Sequence, residues 1–595
     1  METNINANKE SPEFSNFDGM SSPLENEKKE IKGSKKLNLK LILIISGIIL
    51  SIILVIILIL VIINSGCGSG YYIPEDDQSS CLKCSVDNCD ECSGTKESNI
   101  CSSCKSKFFP NYEINILKSC DPCNEGCLFC DQETHECSIC EGRYDLINGK
   151  CIAKYSFMAK YYVDSSSKNV QIIDSNFSKK IKEILIDGQI QKNIYTDYNL
   201  KSGQHTVFVL LDMNIDTLED MFFFCSEMTE IKFSSLFNNI EIKSVKNMFN
   251  QCSSLTSVDF THFKIKNVSI LDRMFHICTS LTTINLSNID ISKATSMEGM
   301  FYQCKKLEKI EFPKVKTKEL QNMEQMFISC ESLKSLDLSN FDTKQVTTFY
   351  FSFYKCKSLT SLDISHFDTT NVIKMEYMFA DCTALESVNI SNFDTKNVKY
   401  MNSMFSGCIK LTSIDFSKLK GDNLLEFRMV FNGCKSLISL DLSSFNTPNL
   451  KLMDKLFYEC TSLASLNLSG LDTSNVSSMK EAFFGCHSLT SIDVSNFNTK
   501  NVVDLDSTFL ACSNLTSIDL SNFVFNNPIS SVNRMFFYCE NLKYIDISNF
   551  EFSSNFSDII FDYLFPPNGT IIVKDENAGN KIKKQLKNWE IKYKN

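Results

Sequence analysis

The side chains with most chemistry to offer in this 595-residue chain are its 27 cysteines, and their spacing sorts nearly all of them into two arrays. Between residues 81 and 151 six CxxC pairs follow one another: Cys81 with Cys84, Cys89 with Cys92, Cys101 with Cys104, Cys120 with Cys123, Cys127 with Cys130 and Cys137 with Cys140, and Cys151 is left over. Such density suits a disulfide-stapled module that has too little core to fold unaided in an oxidising compartment. Paired CxxC also builds zinc ribbons, which need a reducing compartment, and redox sites, which need a helix N-terminus beside a strand; no such context is visible. All thirteen are therefore disulfide candidates.

The second array is Cys225, Cys252, Cys278, Cys304, Cys330, Cys356, Cys382, Cys408, Cys434, Cys460, Cys486, Cys512 and Cys539. The steps are 26 residues, except 27 at the first and last, and a phenylalanine precedes every cysteine by three positions. A fixed period in the twenties means a solenoid, whose units touch only their neighbours. These thiols fall at the apolar phase of the repeat, and an odd number cannot pair off, so they read as buried small hydrophobes.

The elements that must carry them are legible in residues 358–382, SLTSLDISHFDTTNVIKMEYMFADC. Leu359, Leu362 and Ile364 keep a strand phase with Ser361, Asp363 and Ser365 opposite. Turn residues follow, and Val372, Met375, Met378, Phe379 and Cys382 recur as one face of a short helix. Strand, turn and helix repeated predict an α/β solenoid, with a parallel sheet on one side and short helices on the other. Pro313 departs from the strand-end serine, and Val430, Leu456, Ala482 and Thr508 depart from the methionine before phenylalanine.

The motif L-x-x-[LI]-[DN]-[LI]-S-x-F-[DN]-T-x-N-V-x-x-M-x-x-M-F-x-x-C resembles the BspA-like leucine-rich repeats of the 26-residue surface-protein kind. The resemblance implies that fold and, less specifically, adhesion or binding at a cell surface. The CxxC region is similar to furin-type and growth-factor-receptor-type modules and to the ectodomains of protist surface antigens. The stretch from 152 to 212 resembles small PEGA-like β modules, placed to cover the first strand's open edge. The last residues resemble the C-terminal cap of such arrays, with the only tryptophan, Trp589.

Between the strand's last two apolar residues lies a row that reads Asp259, Asn285, Glu311, Asp337, Asp363, Asn389, Asp415, Asp441, Asn467, Asp493, Asp519 and Asp546. At strand spacing it would run for about 55 Å. Its aspartates, with Ser361 and Ser365, are the candidate ligand-binding face, suited to a cationic protein, a glycan or calcium. Each asparagine in the row is also a glycosylation sequon, so Asn285, Asn389 and Asn467 join Asn176, Asn267, Asn475, Asn514, Asn555 and Asn568 as candidates. His135, His205, His262, His276, His366 and His487 form no ligand spacing, no phosphate loop or nucleophile motif appears, and the reading is of a non-enzyme without metal or cofactor. A net charge of −11 gives no reason to expect nucleic acid.

Residues 41–63 are an uncharged apolar run, long enough for a transmembrane helix. Lys28, Lys29, Lys32, Lys35, Lys36 and Lys40 precede it, and Glu75, Asp76 and Asp77 follow, which predicts a cytoplasmic N-terminus. A cleaved signal peptide would have a shorter leader, and a lipid box at Cys67 would lack its aliphatic residue at Asn64. The expected order is a tail at 1–40, the span at 41–63, a linker at 64–80, the cysteine-rich module at 81–151, a β-rich cap at 152–212, thirteen repeats at 213–551 and a second cap at 552–595. Together these predict a type II, single-pass surface protein for adhesion or ligand capture. A receptor signalling through the tail is the alternative; an enzyme or a CxxC oxidoreductase ranks below both.

Overall fold

The computed structural model describes residues 156–595, apart from 213, 235–236, 530, 554–556, 562–565, 587 and 595, together with the backbone of residues 165–167 and of short strands between 71 and 153. The tail, the span and Cys67 lie outside the described residues, as do all side chains of the cysteine-rich region. Three of the disulfide candidates, Cys81, Cys84 and Cys123, lie wholly outside the described residues, so no disulfide is assigned to them. Among the described residues no helix is long and apolar enough to cross a membrane.

From residue 216 onward the chain winds as a solenoid of about thirteen coils. One side is a parallel sheet in strict repeat register: Lys232 opposite Asp259, Asn285 opposite Glu311, Ser361 opposite Ser387 and Asp441 opposite Asn467. The strands are only two to four residues long in the repeats from residue 257 to 547. At the start, strand Phe157–Gln171 pairs antiparallel with Met228–Phe233, so a hairpin-built sheet lies along the first repeat strand. At the end, Tyr544–Ile547, Thr570–Val573 and Glu590–Tyr593 continue the parallel sheet. Trp589 is buried there and its Nε1 donates to Pro566 O at 2.8 Å.

The opposite side is not helical, which corrects the sequence-based expectation. Among the described residues the only α-helix is Glu576–Ile582, in the C-terminal cap; a 3-10 helix spans Ser175–Lys180 in the N-terminal cap. Residues 372–382 instead form tandem β-turns. The N–H groups of Met378, Ala380 and Cys382 donate three residues back, to Met375, Tyr377 and Phe379, at 3.1–3.4 Å. Those of Met375, Tyr377, Phe379 and Asp381 donate forward to Tyr400, Asn402, Met404 and Ser406 of the next coil, at 2.6–2.9 Å. Tyr377 and Asp381 take φ of 56° and 57°, and the same two positions are left-handed in every coil. Parallel strands lie about 4.8 Å apart. A helix about 10 Å across would splay the coils on that side, whereas turns fit the strand spacing and bond to the neighbouring coil.

The positions read as an apolar helix face are nevertheless the buried ones, since Val372, Met375, Met378, Phe379 and Cys382 are all 0 % exposed. Turn bonds that close every three residues place side chains inward at nearly helical intervals, so the pattern was right and the backbone was not. Within the coil, fourteen phenylalanines from Phe222 to Phe561 stack ring on ring at 5.3–6.0 Å and within 18° of parallel. Beside them every repeat cysteine is buried. From Cys252 on, each Sγ donates to the phenylalanine carbonyl of the preceding coil, as Cys382 does to Phe353 O at 3.1 Å. Hydroxyls that enter the methionine slot also reach the preceding coil: Ser352 donates to Met323 O at 3.0 Å and Thr508 to Met479 O at 3.3 Å, and Thr508 lies 2.6 Å from Leu505 O within its own coil.

Candidate functional site

The row of acids and amides on the sheet has a local cause. A carboxylate or carboxamide one carbon from the backbone can reach the N–H two residues ahead and close an Asx turn. Asp363 Oδ1 accepts from Ser365 N at 3.1 Å and from Ser365 Oγ at 2.7 Å. The same bond joins Asp259 to Thr261, Asn285 to Ser287, Asp337 to Ser339, Asn389 to Ser391 and Asp415 to Ser417. It recurs from Asp441 to Ser443, Asn467 to Ser469, Asp493 to Ser495, Asp519 to Ser521 and Asp546 to Ser548. These bonds turn the chain after each row residue.

The exception supports the mechanism. Glu311 carries one methylene too many, and the residue two ahead is Pro313, which has no N–H to donate. The two departures from the motif therefore answer one another. Aspartate and asparagine are interchangeable for the turn but not for charge, so the fold leaves the number of charges on this face unspecified.

Electrostatics follow from the turn. At Asp363, Asp415 and Asp493 the serine hydroxyl and then its N–H draw the carboxyl below the usual carboxylate range. At Asp337 and Asp441 the N–H leads. At Asp259 burial pushes up, but Thr261 and Lys232 outweigh it and the net shift is downward. A carboxyl lowered in the folded state contributes stability that is complete above its unfolded value, about 3.9, and is lost as pH falls through the lower folded value. Replacing these aspartates by asparagine removes their proton uptake on unfolding, so the urea midpoint read by circular dichroism should fall less between pH 5 and 2 than in the natural chain. An equal fall in the two chains would contradict the role given to the turns.

Asp337, Ser361, Asp363, Asp415, Asp441, Asp493 and Asp519 are exposed, and Ser365 is half-buried. Two expected members differ. Asp546 is only 9 % exposed, because the C-terminal cap strand Thr570–Val573 lies alongside it. Asp259 is half-buried with Lys232 Nζ at 3.6 Å. Sequence reasoning missed Lys232, together with the Lys160–Glu230 pair at 2.7 Å, which line a shallow cavity of about 200 Å³ where the N-terminal cap meets the repeats. The usable face therefore runs from Asn285 to Asp519, shorter at both ends than expected.

Among the described residues no group of three or more His, Cys, Asp or Glu is arranged to hold a metal ion, and the row offers at most one acid per coil. Asn285, Asn389 and Asn467 are exposed and use the carbonyl oxygen, not the amide nitrogen to which an N-glycan attaches. Asn475 commits its nitrogen, donating to Pro448 O at 2.8 Å. Asn176, Asn267, Asn514 and Asn568 are exposed, and Asn555 lies outside the described residues.

Short parallel strands paired between successive 26-residue coils, closed by a stacked aromatic spine, define a β-solenoid. The chain belongs to the family described as "Mycoplasma protein of unknown function, DUF285", which matches residues 216–336, 307–412, 374–487 and 453–560, together more than half of its length. Among solved structures it is similar to the pneumococcal vaccine antigen PcpA, at 14 % identity and a TM-score of 0.23, covering 73 % of this chain and 100 % of that one. It is also similar to TLR13 in its complex with ssRNA13, at 15 % identity and a TM-score of 0.14, covering 63 % of this chain and 75 % of that one. The fold assignment rests on the coil geometry rather than on either likeness. No curated protein matches the sequence.

Proposed function

We propose that this chain is a single-pass, membrane-anchored surface protein that holds its solenoid outside the cell and captures a polar ligand, a cationic protein segment or a glycan, on the sheet face. The observation that carries this reading is the exposed row from Asn285 to Asp519. One carboxylate or carboxamide per coil, in register with its neighbours and flanked by serines, is a lattice of hydrogen-bond acceptors at a fixed repeat. Such a lattice suits a repetitive polar partner, and multiple weak contacts in step add to a firm one. The apolar run at 41–63 and the lysines before it support the orientation.

The display is tested by antibodies against the repeats, applied to intact and to permeabilised cells. Staining of intact cells is expected; staining only after permeabilisation would contradict the arrangement.

A further inference from the structure

Two hairpins in the cysteine-rich region share one register. In the first, strand Cys89–Gly94 pairs antiparallel with Asn99–Cys104, and Cys89 stands opposite Cys104 and Cys92 opposite Cys101. In the second, Cys127–Cys130 pairs with Cys137–Cys140, and Cys127 stands opposite Cys140 and Cys130 opposite Cys137. Both hairpins also carry the same two irregularities, one on each strand. Glu91 pairs with Ser103 between the first two rungs, and Phe129 with Ile139 between the second two, so one residue of each CxxC is skipped on either side. The three-residue CxxC spacing is thereby reduced to two pairing positions, the interval at which a strand returns to the same face.

Directly opposed residues have Cα atoms about 4.5 to 5.5 Å apart, within the range a disulfide spans, whereas diagonal neighbours are about 7 to 8 Å apart, near or beyond its limit. We propose that each hairpin is closed by two cross-strand disulfides, Cys89–Cys104 with Cys92–Cys101 and Cys127–Cys140 with Cys130–Cys137, first cysteine to fourth and second to third. The proposal rests on the extracellular reading given above. Each bond forms when two thiols give up two protons and two electrons by exchange with the disulfide of a thiol–disulfide oxidoreductase, which leaves as the dithiol. Cys120 stands opposite Pro110 and Cys151 opposite Leu146, so the hairpins offer those two no cross-strand partner. Cys81, Cys84 and Cys123 are outside the described residues and take no part in the proposal.

The test uses the full chain, extracted from membranes with free thiols blocked at lysis, digested without reduction and mapped by electron-transfer fragmentation. The four named links are expected. Oxidised cysteines linked first to third or second to fourth would overturn the pairing and leave surface display standing; thiols found reduced or holding zinc would overturn both. Single and double variants give a second readout that does not depend on digestion. Cys89→Ser should expose one new alkylatable thiol, at Cys104, and adding Cys104→Ser should remove it. Label appearing at Cys101 instead would contradict the pairing.

Discussion

Replacing Phe379 by alanine should cost about 3 to 5 kcal/mol and break the cooperativity of unfolding. Phe379 is fully buried, with the rings of Phe353 and Phe405 at 5.4 and 5.6 Å on either side. Removing it leaves a ring-sized void and severs the aromatic spine near its middle. In a repeat array, stability is the sum of unit and nearest-neighbour terms, so weakening one junction lets the two halves unfold separately. Urea titration followed by circular dichroism should show one transition for the natural chain and two for Phe379→Ala. A single transition with an unchanged midpoint would mean that the stacked rings do not couple the coils.

The Cys512 thiol should resist alkylation by at least about a thousandfold until the chain unfolds, and the other repeat thiols, all buried, should stay unlabelled with it. Burial pushes the Cys512 thiol up to about 12 from an ordinary 9.0, against a smaller lowering by the Cys486 backbone. The thiolate is the nucleophile, so three pH units remove roughly a thousandfold of the reactive form before occlusion is counted. Burial pushes the thiols of Cys252, Cys278, Cys356 and Cys486 up as well. Mass-spectrometric counting of iodoacetamide adducts in native and in denaturing buffer checks this. Native labelling of any of the thirteen, or adjacent pairs found oxidised, would contradict a buried ladder in which each sulfur from Cys252 on donates to a carbonyl of the coil before it.

The 26-residue period made the solenoid, its parallel sheet and its buried positions legible from the sequence alone. The turn face was not, because Met375, Met378 and Cys382 recur at intervals that a helix and a run of three-residue turns share. What separates the two is the bond from Phe379 N to Met404 O, a contact between coils that no window within one coil contains. The sheet row was legible as a row, but its cause was not read, although the signal was present. Asp or Asn followed two residues later by Ser or Thr marks an Asx turn, and Glu311 appears where Pro313 has removed the donor. The burial of Asp546 could not be read, because it depends on where strand Thr570–Val573 settles. The cysteine-rich region showed its pairs in sequence, whereas the register that opposes them is a property of the hairpins.

Along the sheet the turn occupies the carbonyl or carboxylate oxygen, and the function proposed above assigns the charge to the ligand. Changing Asp337, Asp363, Asp415, Asp441, Asp493 and Asp519 together to asparagine should leave the fold at pH 7 as it is, since Asn285, Asn389 and Asn467 already make the same turn. It removes six negative charges from the exposed face. The direct measurement is binding of the natural chain and of this variant to a panel of glycans and lysine-rich peptides at low and physiological salt. The natural chain should retain members of the panel, and the variant should lose about tenfold or more in affinity for the cationic ones with its circular dichroism at pH 7 unchanged. No binding by the natural chain, or equal binding by the variant, would contradict the sheet face as the site of capture.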